Sequence, residues 1–156
     1  MRRMVVLAGL FVVLLAANYS IYEKERVLAE GRVVLLELAP VDPRSLMQGD
    51  YMALRFALQN AVRGAATDGY MVLGVDGRGV GQFRRFDAGA PLAEDEVRVF
   101  FRMRLGEIKL GTNAYFFQEG DAALYENAKF GEFRVDGGGQ VLLTGLRDGA
   151  GKRLGR

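Results

Sequence analysis

Histidine and cysteine are both missing from the chain. Their absence removes Ser-His-Asp and Cys-His nucleophile pairs, zinc sites built on either residue, disulfides, haem attachment and iron–sulfur ligation. What stays open is carboxylate chemistry, Ser-Lys chemistry, cation binding through oxygen, or no catalysis. A chain without cysteine is compatible with a reducing cytosol and with a disulfide-free envelope domain, so this absence assigns no compartment. Net charge is also scarce. Setting aside Arg2 and Arg3 from the 21 basic residues leaves 19, equal to the 19 acidic ones. A nucleic-acid partner is therefore not expected, because such a protein carries a basic excess on one face.

What is present begins with MRRMVVLAGLFVVLLAANYSIYEKER. After two arginines the chain runs uncharged from Met4 to Tyr22, nineteen residues, of which Met4 to Ala17 is strongly apolar. The apolar part alone has the length of a signal-peptide core, but LLAANYS offers a poor pair of small residues for cleavage. Asn18, Tyr19 and Tyr22 are the residues expected where a helix leaves the hydrocarbon. The reading is an uncleaved signal-anchor helix that continues through Glu23–Glu30 and stops near Gly31. With Arg2 and Arg3 at the short end, the N-terminus stays cytoplasmic and the body lies across the membrane, periplasmic in a two-membrane bacterium and extracellular otherwise.

From Gly31 onward the pattern is mainly strand. Arg32–Ala39 ends at Pro40. Tyr51–Gln59 alternates, with Met52, Leu54, Phe56 and Leu58 on one face. Tyr70–Val75 and Val80–Phe86 flank the turn DGRG. Glu96–Leu105 places Val97, Val99, Phe101, Met103 and Leu105 inward and Arg98, Arg102 and Arg104 on the other face. That arginine face is the solvated side of a strand, with an anion or lipid headgroup as its functional alternative. Glu107–Leu110 extends the sheet, Gly120–Phe130 reads as a helix capped by Asp121, and Glu132–Val135 and Gln140–Leu146 flank Gly137–Gly139. The expected organisation is an anchor and linker helix over 1–30, one β-rich domain over 31–150 and a frayed tail over 151–156. The fold class is a mainly β, antiparallel sandwich or open barrel with one or two short helices; strand count does not separate the two.

The stretch DPRSLMQGDYMALRF, Asp42 to Phe56, carries the densest set of signals. Asp42 before Pro43 opens a helical turn, Gly49 is placed to end it, Asp50 suits a tight turn, and Tyr51 launches a strand. The same geometry brings Asp42, Arg44, Asp50 and Tyr51 to one rim of the sheet, as in a ligand or partner contact. A cation held by Asp42, Asp50 and Glu119 lacks the spacing of a calcium loop, so neither metal nor cofactor is expected.

GDYMALRF resembles the signature of the bacterial GDYXXLXY proteins: Gly49, Asp50, Tyr51 and Leu54 match, and Phe56 replaces the second tyrosine. DPRSL, NAYFFQEGDAALYE and RVDGGGQVLLTGL are similar to further blocks of that family, so the likeness covers about Val33 to Leu146. It implies a small protein with one N-terminal membrane segment and a β-rich outer domain, no assigned activity, and genes beside those for multi-pass membrane proteins. The expectation is a non-catalytic accessory domain that binds a multi-pass membrane protein. Its contact edge would use Asp42, Arg44, Gly49, Asp50, Tyr51, Glu119 and Gly120. The alternative resembles type I signal peptidases, with Ser45 as nucleophile and Lys109 as general base. SLMQGD departs from that family's serine segment and GEIKLG from its lysine segment.

Overall fold

The first thirty residues carry no alternation to hide an apolar face, and they fold accordingly. In the computed structural model, which describes residues 2–39, 47–48, 51–62, 67–104, 106–112 and 114–155, helix α1 spans Arg2–Glu30 and only Val27 is buried. Its apolar residues from Met4 to Tyr22 stand exposed on every side, and by length and composition the helix can cross a membrane. It stops where expected. The Gly31 amide donates to the Val27 carbonyl at 2.9 Å, and a Cβ at Gly31 would lie 2.4 Å from that same oxygen. Only glycine fits this close approach.

The body is mainly β, as two curled antiparallel half-barrel sheets. One contains β1 (Arg32–Glu37), β9 (Phe130–Val135), β10 (Val141–Arg147) and β11 (Arg153–Leu154), in that spatial order; the other runs β5 (Gly81–Phe86), β4 (Gly69–Val75), β6 (Glu96–Arg104) and β7 (Glu107–Lys109). A parallel bridge joins them between Leu35 and Val80, where the Leu35 amide donates to the Gly79 carbonyl at 2.8 Å. A third, three-stranded sheet holds β2 (Met47–Gln48), β3 (Tyr51–Ala53) and β8 (Ala114–Phe116). Two single-turn helices complete the described elements, α2 (Leu58–Ala61) and α3 (Ala122–Tyr125). The enclosed core includes Phe56, Met71, Leu73, Leu110, Phe133 and Leu146, each at most 1% exposed.

Three hairpins share one turn chemistry. Asp76, Asp136 and Asp148 each begin Asp-Gly-x-Gly, and each carboxylate accepts amide hydrogen bonds from residues two and four positions on, at 2.8–2.9 Å. The second glycine of each, Gly79, Gly139 and Gly151, has φ of 83°, 85° and 82°, the left-handed region that glycine enters without a steric penalty. The last turn reverses the chain at the end expected to be frayed, and β11 pairs with β10 there.

Other differences are local. Met52, Leu54, Phe56 and Leu58 are all buried as the alternation requires, but the regular strand ends at Ala53. Phe56 keeps one bridge to Leu38, and Gln59 then turns the chain: its side-chain oxygen accepts the Phe56 amide at 3.2 Å, while its side-chain nitrogen donates to the Ile108 carbonyl. The helix expected over Gly120–Phe130 is only Ala122–Tyr125, and Asp121 makes no side-chain capping bond. Met47–Gln48 forms a strand paired with Tyr51–Met52, not part of a helical turn ended by Gly49.

Candidate functional site

The signature GDYMALRF divides by depth. Leu54 is 2% exposed and Phe56 1%. The Phe56 ring meets Phe133 edge-on, with centroids 5.3 Å apart, and passes so close to Gly131 that a Cβ there would lie 3.0 Å from it. A phenylalanine at this depth leaves no hydroxyl to be satisfied. These two residues join the small sheet to the core, and Gln59 ties the segment to β7.

Tyr51 belongs to the surface half. It is half-buried and lies opposite Phe116 in the β3–β8 pairing, its ring centroid 5.8 Å from that of Phe116. Phe116 is 74% exposed, the largest exposure of any bulky apolar residue in the described part of the body. Three residues on, Glu119 and Gly120 are both exposed, and Gly120 has φ of 89°. Behind this edge, Tyr125 of α3 stacks on Phe117 and meets Tyr115 edge-on, both at 5.2 Å. The expected contact residues Tyr51, Glu119 and Gly120 thus fall on or just after the strands of the small sheet. Asp42, Arg44, Gly49 and Asp50 lie outside the described residues, as does Ser45. Phe116 was not among the sequence candidates, although its place between Tyr115 and Phe117 makes one of the three face outward.

Lys109, the alternative general base, has its Nζ 2.6 Å from Glu107 Oε2, and that hydrogen bond and charge hold the Glu107 carboxyl below its ordinary value. The arginine face of β6 is split by its neighbours. Arg98 pairs with Asp87 and lies over the Tyr70 ring at 5.8 Å; Arg104 pairs with Asp68 at 3.4 Å. Arg102 has no carboxylate partner among the described residues and lies 6.0 Å from the Phe100 ring.

Two carboxylates outside the sequence candidates anchor ion clusters, each beside a strand irregularity. Glu132, 4% exposed, accepts from Arg147 Nε at 2.6 Å and from the Thr144 hydroxyl at 3.0 Å, where β10 breaks register between Leu143 and Gly145. Burial pushes its carboxyl up, but the bonds from Arg147 and Thr144 and the charges of Arg147 and Arg153 leave it below its ordinary value. Glu96 accepts from Arg85, from the Ala93 amide and from Arg84, which together lower it to about 2.

A long apolar helix runs directly into a small β-rich body with an aromatic edge at the signature. The chain belongs to the GDYXXLXY protein family, which it matches over residues 13–146. No curated protein and no solved structure matches it.

Proposed function

We propose that the chain is a non-catalytic accessory domain, held at a bacterial inner membrane by α1, that binds a multi-pass membrane protein. In this reading the small sheet carries the contact edge: Tyr51 and Phe116 form its apolar centre and Glu119 and Gly120 its polar margin, with Asp42, Arg44, Gly49 and Asp50, next to Tyr51 in the sequence, as the remaining contact residues. The observation that carries this reading is Phe116, an aromatic 74% exposed beside the residue that opens the signature strand. Exposed aromatics supported from behind are the usual anchors of protein interfaces. The uncharged span from Met4 to Tyr22 supports the tether, and the arginines before it favour a cytoplasmic N-terminus with the body outside.

The test is recovery of a multi-pass protein by a tagged full-length chain in mild detergent. Tyr51→Ala and Phe116→Ser each weaken that recovery while leaving the fold intact. Recovery unchanged in both variants rejects the contact edge. Orientation is checked separately: a reporter active only outside the cytoplasm, fused after Arg156, is expected to be active.

A further inference from the structure

Where α1 meets the body, a cleft of about 250 Å³ opens between the helix, β6, β7 and β10. Its rim carries three cations, Lys24 from the helix, Arg102 from β6 and Lys109 from β7; Phe100, Thr112 and Gln140 also line it. Arg102 and Lys109 are direct partners across the β6–β7 pairing. Like charges placed directly opposite one another weaken a sheet. Lys109 is partly neutralised by Glu107, whereas Lys24 and Arg102 have no ion-pair partner among the described residues. The other acids close by, Glu23 and Asp136, line an adjoining hollow that Lys24, Arg26 and Gln140 also line, and Asp136 is committed to its own turn.

The height of the cleft is set by the helix. Nineteen uncharged residues from Met4 to Tyr22 rise about 28 Å at ~1.5 Å each, close to the roughly 30 Å of a bilayer's hydrocarbon. Lys24 then sits about 3 Å beyond Tyr22 along the axis, in the layer that holds lipid phosphates. Val27, one turn further, is buried, and Arg134 donates to the Gly31 carbonyl at 3.0 Å, so the helix end is fixed against the sheet. The cations therefore face a defined depth, not a sweep of solvent.

We infer that this cleft binds the phosphate of an anionic glycerophospholipid headgroup, with Arg102 and Lys24 as its main ligands and Lys109 completing the cationic rim. The inference rests on the membrane-anchored reading of α1, and the shared chemistry it names is a glycerol-linked phosphate. A bound phosphate relieves the Arg102–Lys109 repulsion and fixes the body against the membrane surface. The contact edge at Tyr51 and Phe116 would then be held at one height and orientation, as recognition of a membrane-embedded partner requires.

The experiment uses the full chain in a neutral detergent, titrated with phosphatidylglycerol, phosphatidylcholine or glycerol 3-phosphate, with binding read from the shift in melting temperature. Phosphatidylglycerol is expected to bind and phosphatidylcholine not to. In the Lys24→Gln, Arg102→Gln double variant, affinity falls about thirtyfold, or ~fivefold for each cation lost. The charge-keeping Arg102→Lys variant retains most of it. Equal response to the two lipids, or an unchanged response in the double variant, overturns the inference. If glycerol 3-phosphate matches phosphatidylglycerol, with both lost in the double variant, the phosphate site stands and its source is a soluble anion; that outcome overturns the lipid assignment. Extraction of native membranes with alkaline carbonate keeps the two readings apart. A chain released by carbonate is not anchored, whatever the cleft binds.

Discussion

The two halves of the signature strand segment differ in what they face. Leu54 and Phe56 point into the core, where Phe56 packs against Phe133 and over Gly131. Tyr51, three residues before Leu54, lies with Phe116 at an exposed edge. One short segment thus holds a structural anchor and a surface aromatic. A motif of this kind identifies a fold through its buried half and offers a function through its exposed half.

Substitution breaks the comparison most clearly at the inner half. Phe56→Ala is expected to cost about 3–5 kcal/mol and Leu54→Ala about 2–5 kcal/mol, read as a loss of denaturant midpoint at unchanged slope. Adding volume from the other side, Gly131→Ala should cost about 1–3 kcal/mol, because the new methyl meets the Phe56 and Phe133 rings. A smaller effect, with opposite meaning, is expected outside. Phe116→Ser should change stability by no more than about 0.5 kcal/mol, yet weaken partner recovery by roughly thirtyfold if Phe116 is a contact centre. If Phe116→Ser instead unfolds the chain and Phe56→Ala is tolerated, the division by depth is wrong.

Acid provides a control that leaves both halves chemically unchanged. Glu132 and Glu96 have folded-state carboxyls below their ordinary values, Glu96 at about 2. Their contribution is full above the ordinary carboxylate range and is lost as pH falls through the folded values. Melting temperature should therefore decline from about pH 5 down toward pH 2, and Glu132→Gln should remove part of that decline. A pH-independent melting temperature over this window would show that the two clusters contribute nothing.

Much of this was legible in the chain itself. The period-2 pattern named Met52, Leu54, Phe56 and Leu58 as buried, and they are, even though the regular strand stops at Ala53: burial follows the side a residue faces, and the chain can keep that side after its ladder ends. The turn after Arg147 went unread behind the expectation of a frayed tail over 151–156, although DGAG repeats the Asp-Gly-x-Gly of the two earlier hairpins. The site was less legible. Phe116 emerges outward only because β8 joins β3 in a separate small sheet, and Glu132 is satisfied only because Thr144, Arg147 and Arg153 arrive from strands that follow it.

By itself the sequence determined the apolar helix, the glycine turns and the inward residues of β3 and β6, because these depend on spacing along one segment and on local backbone sterics. Tertiary structure alone decided how the arginines of β6 divide. Arg98 and Arg104 find Asp87 and Asp68, while Arg102 is left beside Lys109 under the end of α1. The reason is physical: the side on which a residue lies is set by its own strand, but the charge that meets it is set by the register and packing of strands and helices distant in the chain.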